Sequence, residues 1–182
     1  MSMLARSRSA YLTLVAAILL AAGPVLAASV HFKQNRNPTF TDQGLTLNAV
    51  GAVVGLGNAD LLVGLLASAN ATAICTNPGT GEHRPPGQNP APVSVSGSEA
   101  IPAAEIKNGT TPFDVTTEPP ETPIPGAPGC PNSKWVETIT DLSFTSATLT
   151  FTQSGSTVFS ATCDFNPATS NGVVPTSSVT CH

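Results

Sequence analysis

The chain has 182 residues, with seven Lys and Arg against eleven Asp and Glu, and charged residues make up only 10% of it. Soluble domains usually carry about a quarter charged residues, so much of this surface must be Thr, Ser, Asn and Pro. The acidic balance argues against nucleic acid and anionic membrane surfaces as partners, because both require a basic footprint.

The first segment, MSMLARSRSAYLTLVAAILLAAGPVLAASV, has a basic head at Arg6 and Arg8 and an apolar stretch from Tyr11 to Ala22. A Gly23-Pro24 breaker and the small-residue site Val25-Leu26-Ala27 follow. This pattern predicts a secretory signal peptide over residues 1–27. The apolar run is shorter than the roughly 20 residues a spanning helix needs. The residue right after the cleavage site is Ala28 and not the Cys that a lipoprotein would require, and the terminal SSVTCH offers no apolar tail for an anchor. The expected product is a released domain of residues 28–182, extracellular, or periplasmic in a Gram-negative cell. Its 155 residues are enough for a single domain with a real core. Five basic residues, Lys33, Arg36, Arg84, Lys107 and Lys134, then face eleven acidic ones, for a net charge of −6.

LTLNAVGAVVGL reads as a strand paired through the turn GNAD with the strand that follows, with Gly51 as a bulge that switches the apolar face. In DLLVGLLASANATAIC every odd position from Leu61 to Cys75 is apolar, and Ser68, Asn70 and Thr72 fall between them. A period of two means a strand with one buried face. The rival Ala/Leu helix is weakened by Gly64, Asn70 and Thr72 and by the lack of an N-cap.

Residues 76–92 have a Pro and Gly content that precludes helix or central strand. AEIKNGTTPFDVTT contains Asn108-Gly109, a strong hairpin signal, and places Phe113 and Val115 on one face. Thr116 to Lys134 is Pro-rich and should run extended as polyproline II. Ala147, Leu149 and Phe151 alternate with threonines, and Phe159, Ala161, Cys163 and Phe165 share a face. The turn QSGS between these runs should close a hairpin. Asn70-Ala71-Thr72 and Asn108-Gly109-Thr110 match the glycosylation sequon, which matters only in a eukaryotic secretory host.

Four cysteines, Cys75, Cys130, Cys163 and Cys181, follow the cleavage site, and in an oxidising compartment they should form two disulfides. There is no C-x-x-C pair, and His31, His83 and His182 lie at no finger-like spacing from a Cys, so no metal is expected. Three pairings are open, and Cys75 with Cys130 and Cys163 with Cys181 is the preferred one.

Short strands separated by turns, without a convincing amphipathic helix, predict an all-β fold. The expected form is an antiparallel β-sandwich of immunoglobulin-like kind, with seven to nine strands and long Pro/Gly-rich loops. Trp135 follows Cys75 and Cys130 and precedes Cys163, an order such domains share, but the only Tyr lies in the leader, so there is no tyrosine corner. Trp135 reads as a core plug in preference to a ligand platform. The segments LTLNAVGAVVGLGNADLLV, CTNPG with PPGQNPAP, and WVETITDLSFTSATLTFTQ resemble a set of small secreted bacterial proteins of unknown function. The resemblance covers most of the mature chain and implies an exported β-domain, with no activity to carry over.

A Cys75–Cys130 bond would tie the start of one long loop to the end of the other. It would form a rim carrying Glu82, His83 and Arg84 beside Glu118 and Glu121. Catalysis there is not expected. There is no G-x-S-x-G elbow, no spare Cys, and His83 is the only His in a mid-chain loop. Glu118 and Glu121 read as solvated charges rather than a glycosidase pair. The expected function is therefore a secreted, non-enzymatic binding or structural module without cofactors, contacting an extracellular or envelope partner, protein or glycan. One alternative is a self-assembling surface subunit that pairs its Thr-rich strand edges. A remoter one is an extracellular hydrolase or metal-dependent enzyme.

Overall fold

The structure, a computed structural model, describes residues 29–81, 92–107 and 110–182, and the backbone of His83 and Arg84. The expected signal peptide, Glu82 and the Asn108-Gly109 turn lie outside the described residues. The strands run in order β1 (His31–Phe32), β2 (Thr39–Asp42), β3 (Leu47–Val54), β4 (Leu61–Thr76), β5 (His83–Arg84) and β6 (Val93–Ile101). They continue as β7 (Thr110–Thr116), β8 (Val136–Gln153), β9 (Ser156–Phe165), β10 (Gly172–Val173) and β11 (Val179–Cys181). These are eleven strands among the described residues, against seven to nine expected. Four of them, β1, β5, β10 and β11, have only two or three residues, too short to show a period of two.

The strands make two antiparallel sheets packed into a β-sandwich. In the first, β7 lies on one edge of β3, β1 and β2 lie in tandem on the other, and β10 flanks β2. In the second the order is β11, β9, β8, β4, with β6 and β5 in tandem along the free edge of β4. The period-two reading of β4 holds over its whole length: each odd residue from Leu61 to Cys75 is buried. Ala147, Leu149 and Phe151 of β8 and Ala161, Cys163 and Phe165 of β9 face the same interior. Edge-on pairs Phe113–Phe151, with centroids 5.2 Å apart, and Phe40–Phe165, at 5.0 Å, join the two sheets. Fully burying each of these side chains contributes about 1.5–3 kcal/mol. The β8–β9 hairpin turns at Ser154 and Gly155, both at positive φ, as a two-residue primed turn requires.

Four expectations are corrected. β3 and β4 are not partners: they lie in opposite sheets, and residues 55–60 cross between them. The Gln153 side chain holds this crossover by accepting the Gly57 amide at 3.0 Å and donating to the carbonyls of Gly57 and Ala59. Gly51 is no bulge, because the β3–β7 register runs unbroken past it. It is small because a Cβ there would meet the Phe113 ring at 2.7 Å. Past residues 117–121 the segment expected as polyproline II folds into successive turns instead, with the Ala127 amide on Ile124, Cys130 on Ala127 and Trp135 on Asn132. Trp135 is half-buried just before β8 and is not part of the core.

The long edges of the sheets meet at a corner. Pro112 supplies no donor on the outer edge of β7, and the Asp114 amide donates to Glu99 Oε2 of β6 at 2.9 Å. The Glu118 amide then donates to Ser96 O of β6. These contacts cover the outer edge of β7.

The second sheet must also curl. Glu118 sits beside Ser96, opposite Leu66, whereas Ile124 pairs with Glu137, opposite Cys75. The nine residues from Leu66 to Cys75 would span about 30 Å in a straight strand, yet the six steps from Glu118 to Ile124 reach at most about 21 Å. Register shifts at Ser68/Ala69 and Thr72/Ala73 supply the bend.

Candidate functional site: the disulfide-tied rim

Both preferred disulfides are present, Cys75–Cys130 and Cys163–Cys181, and no cysteine is free. Two such bonds fit an oxidising extracellular or periplasmic environment. Cys163 and Cys181 stand directly opposite each other on β9 and β11. Cys75–Cys130 lies where the far ends of β4 and β8 extend past the main core. A small second interior forms there, with Ala73, Cys75 and Ala127 buried apart from the main cluster.

At this end the backbone forms a transverse rank of Arg84, Cys75, Glu137 and Ile124, each paired with the next across the sheet. Despite its Pro and Gly content, the loop after β4 returns to pair His83 with Thr76 and Arg84 with Cys75. It first turns back through the Gly79 amide on the Asn77 side chain and the Gly81 amide on Asn77 O. The rim thus begins with a short ribbon held at its root by the disulfide.

Glu137 anchors the other loop. Its side chain is fully buried, and Oε2 accepts the Gly129 amide at 2.9 Å, next to Cys130. Its carbonyl accepts the Ile124 amide at 2.7 Å. Oε1 has no hydrogen-bond partner, which leaves a buried acceptor on the residue paired with Cys75. Two residues on, the Ile139 amide donates to Thr122 Oγ1 at 3.1 Å. Turn 122–130 is thereby fastened to β8 at three points and to β4 by the disulfide.

The predicted cluster is only partly assembled. Glu82 lies outside the described residues. His83 and Arg84 are at the rim. Glu121 is exposed beside Thr122, on the opposite side of the sheet from β5, with β4 and β8 between them. Glu118 is exposed at the β6–β7 corner, nine residues along β4 from Cys75, and is not part of the rim.

Glu137 was missed by the sequence reading although VETIT alternates. Glu137 and Ile139 share one face, and the apolar positions then change parity to Leu142 and Phe144 and back to Ala147, which hides the pattern. The structure also brings together two histidines far apart in sequence. His31 and His182 line a cleft of about 240 Å³ with Phe32, Phe159 and Cys181. The His182 ring lies 3.8 Å from Asp164, both largely exposed, a contact of little worth in solvent. Among the described residues no group of three acidic, His or Cys side chains could hold a metal ion. No protein-family model, curated protein or solved structure matches the chain.

Proposed function

We propose that the protein is an exported, non-enzymatic binding module whose rim contacts an extracellular or envelope partner, protein or glycan. The observation that carries this reading is the Cys75–Cys130 bond. It ties the turn 122–130 to β4, the strand that pairs with β5, so that ribbon and turn share one root. Ordering loops before binding lowers the entropy lost on association. Rigid scaffolds with elaborated loops are the usual way a β-sandwich acquires a ligand. The leader's basic head, short apolar run and small-residue site support export.

The test is to replace residues 77–91 with a short Gly/Ser link and compare capture from envelope extract with that of the intact protein. Shortening alters closure entropy by only about 0.6 kcal/mol per halving, so the melting temperature should hold. The partner bound by the intact protein should be lost. A shortened protein that folds and retains the same partner overturns the reading.

A further inference from the structure

We propose that a second site, independent of the rim, lies at the seam between β6 and β7 and receives a primary alkylammonium group. The seam holds a cleft of about 280 Å³ between the edges of the two sheets. Glu99, Glu105 and Asp114 line it with carboxylates, Val50, Ile101, Pro112 and Phe113 give it apolar walls, and no Lys or Arg is among its lining residues.

Each acid is placed by the fold. Glu99 is fixed by the Asp114 amide on Oε2, and Asp114 Oδ1 accepts Asn48 Nδ2 at 2.6 Å. Glu105 ends a 3-10 turn whose first amide, that of Ala103, donates to Asp60 Oδ1 at 2.9 Å. Gly51 makes room for the Phe113 ring.

A second, independent feature points to a ligand. Thr111 also lines the cleft, is fully buried, and its Oγ1 has no hydrogen-bond partner. An unpaired buried hydroxyl is destabilising, and Val would fill the same space without that cost.

The chemistry selects the occupant. An ammonium has three N–H donors and no acceptor, and suits a site whose charged groups are all carboxylate acceptors and whose unpaired hydroxyl can accept as well. The aliphatic stem of an alkylammonium covers apolar wall while its head stays with the charges. A divalent ion is disfavoured, because no three of the acidic groups are grouped to hold one. The shared chemistry fits a free polyamine or a lysine side chain of another protein.

Titration calorimetry with spermidine and with a short neutral peptide carrying one lysine tests the proposal. Saturable one-site binding of at least one is expected. Glu105→Gln should weaken it about tenfold, a loss of about 1.4 kcal/mol. Thr111→Val should raise the melting temperature yet weaken binding, a combination that a purely structural threonine would not give. If Thr111→Val fails to fold, Glu99→Gln, which keeps an acceptor for the Asp114 amide, replaces it and should also weaken binding. Tighter binding of spermidine assigns a free polyamine, and tighter binding of the peptide assigns a protein side chain. Absence of saturable binding by both, unchanged affinity in the variants, or stronger binding of calcium than of either amine in the same cleft overturns the proposal.

Discussion

The Thr169 hydroxyl donates to Asp42 Oδ2 at 2.5 Å while accepting the Phe144 amide at 2.8 Å, and so ties β2 of one sheet to β8 of the other. Asp42 Oδ1 accepts the Gly44 amide, and Gly44 O in turn accepts the Leu142 amide. Asp42 and Thr169 are both buried. Asp42→Ala strips two donors of their acceptor and should cost about 2–4 kcal/mol. Thr169→Val should cost about as much. The double variant should lose clearly less than the sum of the two in denaturant unfolding, because both changes break one network.

Cross-linking should stabilise the two disulfide loops unequally. Cys75–Cys130 spans 55 residues and Cys163–Cys181 spans 18. Chain entropy alone gives about 4 and 3 kcal/mol. Alkylation without reductant should label no cysteine in mass spectrometry, and a double Cys75/Cys130 replacement should lower stability more than a double Cys163/Cys181 replacement. The reverse order would show that the rim bond restrains little of the unfolded chain.

Gly97 of β6 touches the backbone of β7 at the corner of the sandwich. A Cβ there would lie 1.9 Å from Thr116 O, whereas at Gly64 the nearest atom is 3.8 Å away. Gly97→Ala should therefore cost about 3 kcal/mol or more by forcing the sheets apart. Gly64→Ala, in the same sheet, should change the melting temperature by little. Equal effects of the two substitutions would contradict the close approach.

Glu137, fully buried, supplies an acceptor for the Gly129 amide. Glu137→Gln keeps that acceptor and should stay within about 1 kcal/mol of wild type, whereas Glu137→Ala bares the amide and opens a cavity, costing about 2–4 kcal/mol. Amide exchange at Gly129 should quicken in the Ala variant alone.

Much of the fold can be read from alternation. The odd positions of β4, the faces of β8 and β9 and the hairpin at Ser154-Gly155 follow from side chains pointing to opposite faces of a strand. Alternation does not say which sheet a strand joins, so LTLNAVGAVV and DLLVGLL, joined by a turn-like GNAD, read as a hairpin although a crossover separates them. A glycine also looks the same whether it makes a bulge or yields to a ring, as Gly51 yields to Phe113. The disulfide at the rim was legible because four cysteines leave only three pairings. Glu137 was not, because a lone acid on a buried face shows itself only once the register shifts of β8 are known.

The strap from Thr117 to Ile124 spans the curl of the second sheet as a chord spans an arc. Its two ends are pinned, by Leu47 and Ser96 at one side and by Glu137 at the other. The attitude of the rim toward the rest of the molecule is then set by the length of this chord as well as by hinge residues in β4 and β8. Adding two or three residues among Glu118, Pro119, Pro120 and Glu121 would let the arc open and swing the rim outward as a unit, without altering a contact inside it. Chord length is thus a dimension along which the presented surface can be re-aimed while its own contacts stay intact.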